Sequence, residues 1–244
     1  MEGYLLVDKP EHWTSFDVVG YVRRKVAKLS GVAPKKIKVG HSGTLDPFAT
    51  GLLIILVGKA YTTQAASLLK LAKTYQVTMR LDASSTTGDT EGEIIYVTPP
   101  ESAPNEVEIK AAMRKLTGDI DQVPPAFSAI KINGVRAYKL ARSHQSVMIA
   151  PRRVTIHALT LTSYDYPEIR FEARVSSGTY IRTLVEDLAR SLNRQAYTKE
   201  LRRTSIDNYS IADAIKVEAI NEQNIGSLLR TTLIGKSSLD NGRQ

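Results

Sequence analysis

The spacing of hydrophobic residues changes several times along the chain, and each change predicts an element. YLLVD (residues 4–8) has the length and branching of a short strand. Ser15 then reads as a helix N-cap, with Phe16, Val19, Val22, Val26 and Leu29 recurring at helical spacing up to Gly31. LLIILV (52–57) is unbroken, too short for a typical helix and rich in branched side chains, which predicts a buried strand. From Tyr75 to Leu81 apolar and polar residues alternate, the pattern of a half-buried strand. Ile109, Ala112, Met113 and Leu116 give residues 105–116 one apolar helical face, and Asn133-Gly134 signals a tight turn. Residues 153–163 carry Val154, Ile156, Ala158, Leu159 and Leu161 and predict a strand, as do 168–176. A helix over 180–192 follows, with Ile181, Leu184, Val185, Leu188 and Leu192 on one side. Strands and helices are mixed without regular strand–helix–strand alternation. The expected class is therefore α+β, with a mixed, largely antiparallel sheet flanked by helices.

Composition narrows the chemistry. The 244 residues are 42% apolar and 24% charged, ordinary for a globular protein long enough to bury a core. There is no cysteine, which excludes disulfides and cysteine-ligated metals. The four histidines (His12, His41, His144 and His157) are scattered, so no metal is expected. The N-terminal MEGYLLVDKP lacks the pattern of an export signal, and the longest apolar run is far too short to span a bilayer. A cytoplasmic protein without a membrane partner is expected.

Charge adds direction. Lys and Arg number 33 against 25 Asp and Glu, a net charge of +8, which suits either a generally basic enzyme or one with a polyanionic partner such as RNA. Clustering favours RNA. VRRKVAKL (22–29) and PKKIK (34–38) precede a glycine-rich loop, and Arg152-Arg153 and Arg202-Arg203 form two further pairs.

That loop, GHSGTLDPFATG (40–51), holds the candidate chemistry. It is not a phosphate-binding P-loop, because the Gly-Lys that follows is continued by Ala60 and separated from Gly51 by a strand-like run. It supplies one carboxylate, Asp46, with no local partner of the kind a paired-carboxylate glycosidase needs. Asp46-Pro47 suits a simple turn, but also a stiffly presented nucleophile or base if a cation holds it ionised. Arg182, in the first turn of the predicted 180–192 helix, is open to three roles. It can pair with Glu186 one turn on, reinforce an anion site at the helix N-terminus, or pair with Asp46 and lower its pKa. Tyr75 is either a core aromatic or a surface for an unpaired base.

Taken together these segments resemble the TruB family of tRNA pseudouridine synthases. LLVDK (5–9) and WTSFDVV (13–19) look like the family's opening motif, and GHSGTLDPFATGLL (40–53) like its catalytic motif. KTYQV (73–77), VPPAFSAIKINGVRAYKLAR (123–142), GTYIRTLVEDL (178–188) and LRR (201–203) match further motifs in order. The resemblance implies a pseudouridine synthase fold with a central active-site cleft and isomerisation of uridine in the T-loop of tRNA, at position 55, on a flipped-out base. It assigns Asp46 as the catalytic aspartate, Tyr75 as the ring stacked on uracil and Arg182 as the partner of Asp46. His41 would hold the RNA loop open, and Tyr180, Lys131 and Arg202 would support substrate binding. It implies no cofactor or metal, no DNA partner, and a monomer that grips the tRNA elbow. Residues 1–235 would form the catalytic domain, with an RNA-clamping insertion around 123–152, a flexible tail over 236–244 and no full C-terminal PUA domain.

Two departures stand out. The family's Leu-Gly-x-x-Thr-Asp-Thr-x-Asp-x-x-Gly reads here with Asp82, Ser85 and Thr86 in place of Gly, Thr and Asp, while Asp89 and Gly92 remain. Phe127 stands where the family prefers tyrosine. Two competing functions are a non-catalytic helper that binds and folds tRNA, and the catalytic subunit of a guide-RNA complex. The basic 123–152 segment argues against the second.

Overall fold

A computed structural model describes residues 1–128, 130–132, 134–137, 140, 143 and 149–232. Much of the expected 123–152 insertion, including Asn133, and the whole 236–244 tail thus lie outside the described residues. The chain divides into two compact units: Met1–Leu71 together with the residues from Arg203 on, and Ala72–Arg202.

In the first unit, strand Gly3–Lys9 runs antiparallel to Thr50–Val57, in register from Gly3 opposite Val57 to Lys9 opposite Gly51. Val39–His41 is also antiparallel to Thr50–Val57, and Ile215–Lys216 lies parallel to Gly3–Lys9. The unbroken apolar run of residues 52–57 has a direct cause, because both of its faces are covered. Leu53, Ile55 and Val57 pack with Leu5, Val7 and the helix residues Val18, Val19, Val22 and Val26. Leu52, Ile54 and Leu56 pack with Tyr4, Leu6, Ile206 and Tyr209.

The helix, Ser15–Ser30, ends at Gly31 in the left-handed conformation, as expected. Its N-cap is Thr14 rather than Ser15. The Thr14 hydroxyl accepts from the Asp17 backbone N–H while the Asp17 carboxylate accepts from the Thr14 N–H, a reciprocal capping box. The expected apolar stripe also needs correction, since Phe16 is 64% exposed. With 3.6 residues per turn, Phe16 falls roughly 100° from the centre of the arc set by Val18, Val19, Val22 and Val26.

In the second unit four strands pair antiparallel: Lys73–Leu81 with Glu168–Val175, Glu168–Val175 with Arg152–Asp165, and Arg152–Asp165 with Gly118–Gln122. A register shift between Ile156 and Ala158 moves the inward positions of the long strand from Val154 and Ile156 to Leu159 and Leu161. That shift explains the broken alternation in its sequence. The Lys73–Leu81 strand is more than half-buried, with Val77, Thr78 and Met79 enclosed in succession. Helix Glu106–Leu116 starts at Asn105 with a capping box to Glu108, and helix Ile181–Ser191 buries Ile181, Leu184, Val185 and Leu188. Lys131–Ile132 pairs antiparallel with Val135–Arg136, and Gly134 ahead of the second strand has a positive φ of 85°. Strand Ala196–Ile206 starts in the second unit and ends in the first. The α+β expectation, with a largely antiparallel mixed sheet and flanking helices, holds.

Candidate active site

Asp46 stands in the loop that links Val39–His41 to Thr50–Val57, and that loop is fixed through its peptide groups. Ahead of Asp46, the Ser15 hydroxyl accepts from Leu45 N–H at 2.9 Å and donates to Leu45 C=O at 3.2 Å. After it, the Pro47 carbonyl accepts from His12 N–H at 2.8 Å and from the Lys9 ammonium at 3.2 Å. Asp46's own carbonyl accepts from Ala49 N–H at 3.1 Å. Leu45, Phe48 and Ala49 are buried, whereas Asp46 is only half-buried. The result is a partly enclosed aspartate with a fixed main chain.

Two buried cations do this bracing. Lys9 is fully enclosed, and its three N–H donors go to the carbonyls of Pro10 (2.9 Å), Trp13 (2.6 Å) and Pro47 (3.2 Å). Satisfying every donor offsets the cost of burying the charge. Arg203, 1% exposed, donates from Nε to Leu52 C=O at 2.8 Å and from Nη2 to Gly43 C=O at 3.1 Å. Its backbone presses so closely on Gly51 that a Cβ there would stand 2.3 Å from Arg203 O, at a φ of +107°. Only glycine fits at that crossing. Neither cation was assigned this role from sequence. The signal for Arg203 was available, because it lies two residues from buried Leu201 on the same strand face, while Arg202 points the other way and is half-buried.

His41 closes the near end of the loop. Burial pushes its imidazole below the ordinary 6.5, and the Arg203 charge acts in the same direction. Nδ1 accepts from Gly43 N–H at 3.2 Å, which leaves the proton of the neutral ring on Nε2. Phe16 meets the imidazole edge to face, with centroids 5.5 Å apart and planes at 88°.

The remaining expected residues belong to the second unit. Tyr75, opposite Ala173 in the sheet, is 7% exposed. Arg182 is buried in the first turn of its helix and donates to Thr87 C=O at 2.7 Å and Phe127 C=O at 2.8 Å. It forms an ion pair with Asp89, at 3.4 Å, a partner the sequence reading did not name. Asp89 is itself buried, and its other oxygen accepts from Thr87 Oγ1 at 2.5 Å and Glu91 N–H at 3.0 Å. Burial, which costs a carboxylate its charge, pushes Glu186 up. Tyr180 is the helix N-cap, and its backbone is gripped at both ends by the buried Gln122 amide, at 2.8 and 3.1 Å. Lys131 opens the short hairpin, and its side chain lies outside the described residues.

Both sequence departures acquire a physical account. Asp82 has a φ of +57°, the left-handed region where glycine carries no strain. Its carboxylate accepts from Arg194 Nη1 at 2.9 Å and Tyr166 OH at 2.5 Å, contacts a glycine lacks. Phe127 contributes a backbone carbonyl to Arg182, so the absent hydroxyl leaves that bond intact. Among the described residues no group of three His, Asp or Glu side chains is placed to hold a metal, and no helix is long and apolar enough to cross a membrane.

Residues 28–181 match the sequence profile of the TruB family pseudouridylate synthase N-terminal domain. The chain is 42% identical over 218 residues to tRNA pseudouridine synthase B of Flavobacterium johnsoniae, covering 89% of this chain and 94% of the relative. It is also 42% identical to the protein of the same name from Opitutus terrae, over 90% of this chain and 87% of that one. Among solved structures, a chain from a Cbf5–Nop10–Gar1 complex superposes with a TM-score of 0.65 at 25% identity, covering 88% of this chain. The present chain spans about half (52%) of that one.

Proposed function

The chain belongs to the TruB family of pseudouridylate synthases, and on that premise we propose that it isomerises uridine to pseudouridine in the T-loop of tRNA, at position 55. The observation that carries the reading is the Asp46 loop, whose peptide groups are held on both sides by the buried Lys9 and Ser15 side chains while the aspartate stays half-buried. In the reaction the uracil N1–C1′ bond breaks, the base turns, C5 bonds to C1′, the C5 proton leaves and N1 takes up a proton. Nothing is oxidised and no group comes from a donor, so the balance calls for neither cofactor nor metal. Asp46 serves as nucleophile at C1′ or as the base that opens a glycal-like path. Both roles need an ionised carboxylate in a fixed position.

The supporting roles follow from the family resemblance. Tyr75 stacks on the extruded uracil and is the candidate acceptor of the C5 proton, which offsets part of the few kcal/mol that base extrusion costs, on the order given for flipped bases. Arg182, already anchored by Asp89, Thr87 and Phe127, supplies the positive charge that keeps Asp46 ionised. His41 holds the RNA loop open, and Tyr180, Lys131 and Arg202 bind the substrate. Residues 1–235 form the catalytic domain, with 123–152 as the segment that grips RNA, and a single chain acts on tRNA in the cytoplasm.

Tritium release from an unmodified tRNA transcript carrying C5-labelled uridine tests the reading. Wild type should release tritium, and Asp46→Asn should lose on the order of a thousandfold or more of the rate while still binding the transcript. A wild type that binds and releases nothing would replace the isomerase with the RNA-folding helper.

A further inference from the structure

Phe16 is left unexplained by the fold and by the roles assigned above. It stands two residues after the helix N-cap, in a turn locked by the Thr14–Asp17 capping box, and the residue is 64% exposed. Single exposed apolar side chains are common on proteins and by themselves mean nothing. This one is held in place. The preceding residue, Ser15, is bonded twice to Leu45, next to Asp46. The ring rests edge to face on His41, at 5.5 Å and 88°. That contact uses part of the ring and fixes its plane. The rest of the ring stays open on the rim of the loop that carries Asp46.

We infer that Phe16 is a substrate-contacting residue, whose open ring is a stacking platform for an unpaired base of the RNA beside the reacting uridine. Every base has a π-face, so an aromatic ring with its plane already set gains stacking energy without reading sequence. Unstacking the target uridine leaves neighbouring bases without a partner, and Phe16 offers one. The inference rests on the reading of this loop as an RNA-modifying site. It goes beyond that reading in naming a residue for a base other than the one that reacts.

The test compares wild type with Phe16→Leu, which keeps an apolar side chain but no ring, and with Phe16→Tyr, which restores the ring. On a tRNA transcript, Phe16→Leu should raise KM about tenfold, the size of one stacking contact. Its kcat should be little changed, and Phe16→Tyr should return KM to the wild-type value. The KM ratio should be the same at low and high salt, because no phosphate contact is lost. In a binding assay, a fluorescent purine analogue placed beside the target uridine should be quenched by wild type and Phe16→Tyr, and not by Phe16→Leu. Equal quenching by all three proteins, or a Phe16→Leu defect confined to kcat or not restored by tyrosine, overturns the inference. The quenching signal needs binding only. A wild type that quenches but makes no pseudouridine therefore sinks the catalytic reading and leaves the stacking contact standing.

Discussion

The loop around Asp46 and the loop around Asp89 solve one problem in opposite ways. Each must hold an aspartate in an irregular segment beside buried cations. In the first, Lys9 and Arg203 spend their described hydrogen bonds on main-chain carbonyls, and Asp46 is left half-buried. In the second, the carboxylate itself is consumed, since Asp89 is buried against Arg182 and bonded by Thr87 and Glu91. The difference shows two uses of a buried cation: Lys9 and Arg203 brace the main chain of the Asp46 loop, while Arg182 meets the Asp89 carboxylate itself and makes it an anchor.

The contrast breaks first at Asp89. Asp89→Leu should cost about 3–5 kcal/mol, because it removes one partner of a buried ion pair, and chemical denaturation read by circular dichroism measures it. A loss under about 1 kcal/mol would mean that the ion pair is not an anchor. Lys9→Met should cost less, about 2 kcal/mol. Three carbonyls each lose one donor, Pro47 keeping the His12 N–H, and the cost of burying an ammonium disappears with it. It should also lower the rate of tritium release more than it weakens transcript binding, since it loosens the carbonyl next to Asp46. Equal effects on both would assign Lys9 to general stability.

The smallest effect concerns pH. His41 is held below 6.5 in the folded chain, so as the pH falls through 6.5 the unfolded chain binds more protons. Stability should therefore fall as pH drops through this value and be unaffected by His41 above it. His41→Gln should flatten that part of the profile. An unchanged slope would show that the imidazole is not buried enough to resist protonation.

Much of this was legible in the primary structure. The strand at 52–57 and the helices at 106–116 and 181–191 follow from period and length. The helix at 15–30 was read correctly in extent and wrongly at its start. Thr14 and Ser15 are both good caps, and what decides between them is that Ser15 is taken by Leu45, thirty residues on. Residue type does not separate Arg202 from Arg203, and the two-residue period of the strand, counted from Leu201, places Arg203 on the inward face.

The sequence by itself determined the family, the α+β class and the candidate reacting group, because those depend on residue types in a fixed order and on periods of a few residues. Tertiary structure decided how the charges are used. Lys9 and Pro47, Arg203 and Gly43, and Arg182 and Asp89 are separated by tens of residues or more in the chain. A hydrogen bond or ion pair depends on distance in space, and the spacing of residues along a chain carries no record of it.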